Sequence, residues 1–161
     1  MVAFPTDTVY GLAALPSAAG RIYEAKGRPA DKQLIAMAAE AFGFEALVEV
    51  NARARELMAR HWPGPLTLVL PTVSGDPPTL GVRVPDHHLA LELLRAVGEP
   101  VLTTSANHSG EPPALTAGEV RLPSVAAVLD GGRAPGGTPS TVVAVEGQRL
   151  RVIRPGPVEP W

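Results

Sequence analysis

The chain has 161 residues, enough for one domain that buries roughly two thirds of its unfolded surface. Of its residues 45% are hydrophobic and 19% charged, and the formal net charge of −2 disfavours a protein that coats nucleic acid through bulk charge. The absence of cysteine excludes disulfides, thiolate catalysis and cysteine metal sites, and the absence of a long apolar run or a leader-like start leads us to expect a cytoplasmic protein without a membrane span.

The first half of the chain alternates short apolar runs with helical patterns. Residues 17–26 predict a helix with Ile22 and Ala25 on its inner face. A later helix should begin at Asn51, a suitable N-cap, and end before Pro63. The elements predicted up to residue 70 are strand Val2–Phe4, helix 17–26, strand Leu34–Ala38, helix Ala41–Val50, helix Asn51–Trp62 and strand Leu66–Leu70.

In the second half, apolar residues within 89–97 recur at helical spacing, so a helix should follow an N-cap at Asp86 and end at Gly98. Thr116 and Glu119 match a capping box before a short helix. Strands are predicted at Leu80–Val84, Val101–Thr104, Val125–Leu129, Thr141–Val145 and Leu150–Ile153, the last two as a hairpin turning at Glu146-Gly147. Because strands and helices interleave without a strict βαβ repeat, we predict an α/β fold: a mixed, twisted sheet with helices packed on it, as one domain over residues 1–161.

Both lysines of the chain lie in one segment, KGRPADK, and every other basic residue except histidine is arginine. Lys26 and Arg28 place a compact point charge beside a planar guanidinium, and the two groups bind anionic oxygens in different ways. The segment therefore suits a phosphate chain or a carboxylate. The alternative is an exposed, solvated loop.

Two polar strings follow predicted strands. PTDTVYGL presents the hydroxyls of Thr6 and Thr8, and TTSAN presents Ser105 and Asn107 at the carboxyl end of a strand, where open α/β sheets bind ligands. Ser105 lacks a G-x-S-x-G context, so we interpret it as a hydrogen-bond donor rather than a nucleophile. Ordinary polar turns remain the alternative for both strings.

Neither a familiar nucleotide motif nor a zinc motif is present. The glycine-rich segment Gly131–Thr141 lacks the ending of a P-loop, and no G-x-G-x-x-G follows a strand. Zinc-ligand spacing is absent from the four histidines, which are His61, His87, His88 and His108.

Seven strings nevertheless occur in a specific order between Pro5 and Gly156: PTDTVYGL, KGRP, HWPGPLT, GVRVPDH, TTSANHSG, STVV and RPG. Together they resemble the YrdC-like family, the threonylcarbamoyl-AMP synthases of tRNA modification. The length resembles the short, single-domain bacterial type. The resemblance implies a concave basic cleft in the fold.

The resemblance also implies a nucleotidyltransferase reaction. L-threonine, bicarbonate or carbon dioxide, and ATP would give threonylcarbamoyl-AMP and pyrophosphate. A partner transferase complex would then modify adenosine 37 of tRNAs that read ANN codons, and the resemblance also implies weak tRNA binding. Mg²⁺ would be carried by the ATP phosphates, with no metal site in the protein.

Site residues follow from the resemblance position by position. The implied catalytic residues are Lys26, Arg28, Ser105 and Asn107. The implied threonine-binding residues are Thr6, Arg83, Thr103 and Ser140. The implied ATP-binding residues are Arg28, Lys32, Thr79, Ser105, Asn107 and Arg154. Gln33, Met37 and His61 depart from the family pattern, and Met37 stands where many relatives have a histidine that would contact threonine.

Two other functions are open at this point. A non-catalytic RNA-binding module would bind RNA tightly and with steep salt dependence, without nucleotide turnover. Carbamoyl chemistry of the kind used in hydrogenase maturation would take carbamoyl phosphate in place of threonine, although there a similar domain accompanies cysteine-rich zinc modules that this chain lacks.

Overall fold

A computed structural model describes all 161 residues and contains one mixed sheet of nine strands. In chain order the strands are β1 (Val2–Phe4), β2 (Gly11–Ala14), β3 (Ile35–Met37), β4 (Leu66–Pro71), β5 (Thr79–Arg83), β6 (Val101–Ser105), β7 (Ala127–Val128), β8 (Thr141–Glu146) and β9 (Arg149–Arg154). The helices are α1 (Gly20–Lys26), α2 (Ala52–His61) and α3 (His88–Val97). None of them combines the length and apolar character that crossing a bilayer requires.

The strand order across the sheet is β7-β1-β2-β6-β3-β5-β4-β8-β9. The pairs β1–β7, β3–β5 and β4–β8 are parallel and the others are antiparallel, which confirms the predicted mixed α/β sheet. The predicted C-terminal hairpin is also confirmed: β8 and β9 pair antiparallel, and Gly147 in the turn has a φ of 65°.

Each helix covers part of the core. The largest apolar cluster contains Leu57 of α2, Leu68 of β4 and Phe44, which packs edge-on against Trp62 with ring centroids 5.7 Å apart. Ile22 of α1 is fully buried in a second cluster, as its predicted inward position requires. Leu94 of α3 belongs to a third.

Two element predictions were wrong. β2 was not predicted, because its GLAA segment has no β-branched residue to signal a strand; its residues are all buried between β1 and β6. The predicted helix Ala41–Val50 is a single 3₁₀ turn at Ala41–Phe44, after which Val48 forms a β-bridge with Thr72. Tertiary pairing overrides the local helical pattern there.

The helix caps were predicted with mixed success. Asn51 caps α2 as expected, its side-chain oxygen accepting from the Ala54 N–H at 2.8 Å. The N-cap of α3 is His87 rather than Asp86. Thr116 is the N-cap of a short helix as predicted, but that helix is one 3₁₀ turn. The capping box is wrong, because the Thr116 side chain makes no cap hydrogen bond and Glu119 accepts from the Leu115 N–H at 2.7 Å.

Candidate functional site

A cavity of about 450 Å³ opens over one face of the central strands. Alternate residues of a strand point to the same face, and the lining follows that period of two. The floor residues include Ile35 and Met37, Thr67 and Val69, Thr79, Gly81 and Arg83, and Thr103 and Ser105. A larger groove of about 720 Å³ lies around α2 and contains none of the predicted site residues.

The cavity brings together most of the residues that the sequence singled out. Those that line it are Thr6, Arg28, Thr79, Arg83, Thr103, Ser105, Ser140 and Arg154. Lys26, Lys32 and Asn107 are not in the lining. No acidic side chain lines the cavity, but Asp7 compensates one of its three arginines from outside, so a basic cleft stays a prediction.

The loop between β1 and β2 contains a directed chain of hydroxyls. Thr6 Oγ1 donates to the Val9 carbonyl at 2.6 Å and accepts from the main-chain N–H groups of Thr8 and Val9. Because the Thr6 proton is used, the Thr8 hydroxyl is the donor in the 3.0 Å contact between the two side chains. The Thr6 hydroxyl thus makes all its hydrogen bonds within the loop. Thr8, which was not among the predicted site residues, accepts a hydrogen bond from Arg83.

Arg83, at the end of β5, is buried and held on three sides. Its Nε donates to the Gly64 carbonyl at 3.0 Å and its Nη1 to Thr8 Oγ1 at 3.1 Å. Its Nη2 makes a 2.5 Å ion pair with Asp7 Oδ1. Burial lowers the pKa of Arg83 from its ordinary value, and the Asp7 charge opposes that effect.

Lys26 is buried behind the TTSAN turn rather than in the cavity. Its Nζ donates to the main-chain carbonyls of Ser105 and Asn107, which tie the end of α1 to the end of β6. Burial, and secondarily the charge of Arg28, lowers the pKa of Lys26 to about 8. The resemblance groups Lys26 with Ser105 and Asn107 as catalytic residues; in the structure the Lys26 ammonium contacts their main-chain oxygens and does not line the cavity.

The remaining cations of KGRPADK lie nearer to solvent. Arg28 lines the cavity, and its Nε and Nη2 donate to the carbonyls of Lys32 and Gln33, both at 2.9 Å. These bonds fold the loop around the guanidinium. Lys32 itself is exposed.

The opposite wall is built around Ser140. Arg154 Nε and Nη2 donate to its carbonyl at 3.1 and 2.8 Å, and the Ser140 and Thr67 hydroxyls are 2.8 Å apart. Burial lowers the pKa of Arg154. On the floor, the Thr103 hydroxyl donates to the Ile35 carbonyl at 3.2 Å. Thr67, which joins this wall to the floor, was missed because a threonine inside an apolar strand carries no sequence signal.

Asn107 shapes the turn after β6. Its side-chain amide donates to the carbonyls of His108 and Glu111 at 2.9 and 2.8 Å, and its buried Oδ1 has no partner. Its amide therefore stabilises the turn that presents Ser105.

The glycine-rich segment supports the loop between β1 and β2 from behind. A Cβ at Gly136 would lie 2.6 Å from the Asp7 carbonyl oxygen, and the Gly137 N–H donates to the Thr8 carbonyl at 2.8 Å. Close main-chain contact explains the glycine at position 136. No three His, Cys, Asp or Glu side chains cluster as a metal site would require.

The family model Sua5_yciO_yrdC, described as "Telomere recombination", matches residues 1–156. The chain is 41% identical to the threonylcarbamoyl-AMP synthase of Pyrococcus abyssi over 97% of its length, and 41% identical to that of Bacillus subtilis over 97%. The crystal structure of P. abyssi Sua5 complexed with L-threonine superposes with a TM-score of 0.90 at 41% identity, covering 96% of this chain and 50% of that one.

The chain spans about half the length of these two relatives: 50% of the P. abyssi protein and 49% of the B. subtilis protein.

Proposed function

The chain belongs to the Sua5/YciO/YrdC family, and from that premise we propose that it is a nucleotidyltransferase that makes threonylcarbamoyl-AMP and pyrophosphate from L-threonine, bicarbonate or carbon dioxide, and ATP. The observation that carries the proposal is the single cavity that gathers three arginines and several hydroxyls over one face of the sheet. Its volume lies within the range of small-molecule sites.

The proposed threonine subsite lies at the floor, beside Arg83. Arginine binds a carboxylate through two parallel N–H donors, and one N–H remains on each terminal nitrogen of Arg83 after its bonds within the protein. Thr8 and Thr103 lie in the same lining, and Thr6 would act by holding Thr8 rather than by bonding the ligand. The P. abyssi relative, crystallised with L-threonine, supports an amino-acid ligand in this fold.

The proposed ATP subsite takes the more open part of the cavity. Arg28 and Arg154 would offset phosphate charge, while Thr79 and Ser105 would supply polar contacts. Ser140 stays a proposed threonine contact, as the resemblance implies. Lys32 would approach from the exposed loop. Mg²⁺ would enter with the ATP phosphates as part of the substrate.

The chemistry needs no protein nucleophile. The threonine amine adds to carbon dioxide and gives a carbamate with loss of a proton. A carbamate oxygen then forms a bond to the α-phosphorus of ATP, the bond from that phosphorus to the bridging oxygen breaks, and pyrophosphate leaves. Negative charge spreads over phosphoryl oxygens, so fixed cations and N–H donors are the groups that lower the barrier. Lys26 and Asn107 would serve by fixing the turn that carries Ser105. The product would pass to a tRNA threonylcarbamoyl-transferase complex.

A substrate-omission assay tests the proposal. The purified chain is incubated with L-threonine, bicarbonate and Mg-ATP, pyrophosphate is quantified, and threonylcarbamoyl-AMP is identified by mass spectrometry. Pyrophosphate release should require all three substrates. Release without threonine, or release of ADP instead, would contradict the proposal.

The two alternatives are separated in the same assay. Carbamoyl phosphate replaces threonine and bicarbonate in one arm, and pyrophosphate release there would favour carbamoyl-adenylate chemistry. In a second arm, tRNA binding is measured on filters at two salt concentrations without ATP. Tight, salt-steep binding by a chain that releases no pyrophosphate would favour an RNA-binding module.

A further inference from the structure

We propose that Asp7 is a positioning residue that aims Arg83 at the substrate carboxylate; this inference rests on the proposed function. Asp7 and Arg83 are joined by a 2.5 Å ion pair although they lie 76 positions apart in the chain. No sequence motif or resemblance assigned Asp7 a role. Asp7 is not part of the cavity lining, so it would act through Arg83 and would not contact the ligand itself.

Hydrogen bonds within the protein, one of them to Asp7, fix the orientation of the Arg83 guanidinium. The guanidinium has five N–H donors, of which three are used on Gly64 O, Thr8 Oγ1 and Asp7 Oδ1. Each of the three acceptors is bound by a different nitrogen of the guanidinium, so the plane of the group cannot turn without breaking one of the hydrogen bonds. One N–H on each terminal nitrogen is left, in a group that is 2% exposed and lines the cavity.

Asp7 is itself anchored by residues outside the cavity lining. Its Oδ1 also accepts the main-chain N–H of Asp86 at 3.1 Å, and its Oδ2 is buried without a partner. The Asp7 main chain rests against Gly136. The Asp86 N–H therefore holds the carboxylate, and the contact with Gly136 holds the Asp7 main chain, before any ligand arrives. Preorganisation of this kind lowers the entropy cost of fixing Arg83 when a carboxylate binds.

The pair also decides which ligands the subsite prefers. A buried arginine with no counter-ion would attract any anion, including phosphate groups from the neighbouring subsite. Because Asp7 compensates the charge of Arg83, the directions of the two remaining N–H donors, rather than net charge, determine which anion Arg83 binds. A planar carboxylate matches two N–H donors with fixed directions better than a tetrahedral phosphate does. Asp7 would in this way make the subsite beside Arg83 prefer the carboxylate of the amino acid over a phosphate group.

Binding measurements on the full chain test the inference. Isothermal calorimetry gives the Kd of L-threonine, of ATP, and of L-threoninamide, which lacks the carboxylate, for the wild type, Asp7→Asn and Asp86→Asn. Asp86 is the matched control because it carries the same charge in the adjoining segment and its side chain is exposed. Asp7→Asn should raise the Kd of L-threonine at least about tenfold, which is about 1.4 kcal/mol, and leave the Kd of ATP and L-threoninamide within about twofold. Asp86→Asn should match the wild type.

Each result decides a different point. An unchanged or lower Kd of L-threonine in Asp7→Asn would overturn the inference, since a lower value would mean that Asp7 merely competes for the Arg83 charge. Parallel weakening of ATP and threoninamide would indicate a structural role and overturn it too. A wild type that binds threonine but releases no pyrophosphate would refute the proposed function alone, and a wild type that binds no threonine would refute both.

If Asp7→Asn does not fold, as judged by circular dichroism, Asp7→Glu replaces it. Glutamate keeps the charge and moves the oxygens by one methylene, so a threonine-specific rise in Kd of at least about threefold is expected. Wild-type affinity in Asp7→Glu would overturn the inference.

Discussion

Lys26 and Asn107 are 81 positions apart in the chain, and the Lys26 ammonium donates a hydrogen bond to the Asn107 main-chain carbonyl. A second bond from the same nitrogen reaches the Ser105 carbonyl. The last residue of α1 therefore determines the path of the chain just after β6. This contact joins the two motifs that the sequence singled out, and it does so through the main chain of the turn.

Removing the Lys26 ammonium should impair both stability and turnover. Lys26→Met leaves the partly buried carbonyls of Ser105 and Asn107 without their donor, and each loss should lower the free energy of unfolding by about 1–3 kcal/mol. The turn that presents Ser105 should shift, and kcat/KM for pyrophosphate release should fall at least about tenfold, or about 1.4 kcal/mol. Urea unfolding and steady-state kinetics check the two effects. Wild-type kinetics in Lys26→Met would remove Lys26 from the mechanism.

The lowered pKa of Lys26 predicts a pH dependence of stability. The pKa is about 8 in the folded protein and 10.5 when unperturbed. Between these values the unfolded chain holds more protons than the folded chain, so the free energy of unfolding should rise with pH across that window. Urea unfolding of wild type and Lys26→Met at pH 7.5 and 9.5 isolates this contribution, because the variant lacks the titrating group. A wild-type advantage that stays constant or shrinks at the higher pH would contradict the prediction.

Arg28 should contribute to turnover through its position in the lining. Arg28→Ala removes a cation that faces the cavity and the two hydrogen bonds that fold its loop. We expect kcat/KM to fall at least about tenfold. Arg21→Ala is the control, since Arg21 is an exposed arginine on α1. Equal activity of the two variants would exclude a role for Arg28.

Arg154 should contribute to ATP binding. Arg154→Gln loses the two hydrogen bonds that hold the Ser140 carbonyl, and with them a cation of the lining. The KM of ATP should rise about fivefold or more, with a smaller change in the KM of threonine. Arg151→Gln serves as the control, because Arg151 is exposed on the same strand and pairs with Glu146. A rise in the threonine KM alone would place Arg154 in the other subsite.

Gly136→Ala tests whether the glycine-rich segment supports the site. The added Cβ would meet main-chain atoms of Asp7 and Thr8 at 2.6 and 3.0 Å, and main chain cannot move aside by changing rotamer. We expect a loss of about 1–3 kcal/mol in stability and a raised KM of threonine. Gly118→Ala should be nearly neutral, since a Cβ there meets nothing within 4 Å. A thermal denaturation midpoint of Gly136→Ala equal to that of Gly118→Ala would disprove the support role.

Much of the fold followed from local patterns. Apolar runs predicted the strands from β3 to β6 and the C-terminal hairpin, and Asn51 predicted the start of α2, because these features depend on near neighbours in the chain. β2 was missed, and the segment after Ala41 was predicted as a helix. In both places pairing with a distant strand, which local propensity does not encode, determines the structure.

The residue types available for binding anions can be read from the amino-acid sequence, and the order of its motifs indicates the family. Which of those groups face the cavity depends on tertiary contacts: the Lys26 ammonium binds main-chain carbonyls, the Thr6 hydroxyl donates within its own loop, and Asp7 pairs with Arg83. A buried polar group must find its hydrogen-bond partner among the groups that lie beside it in the fold. Those neighbours come from strands and loops far apart in the chain, so spacing along the sequence does not reveal them.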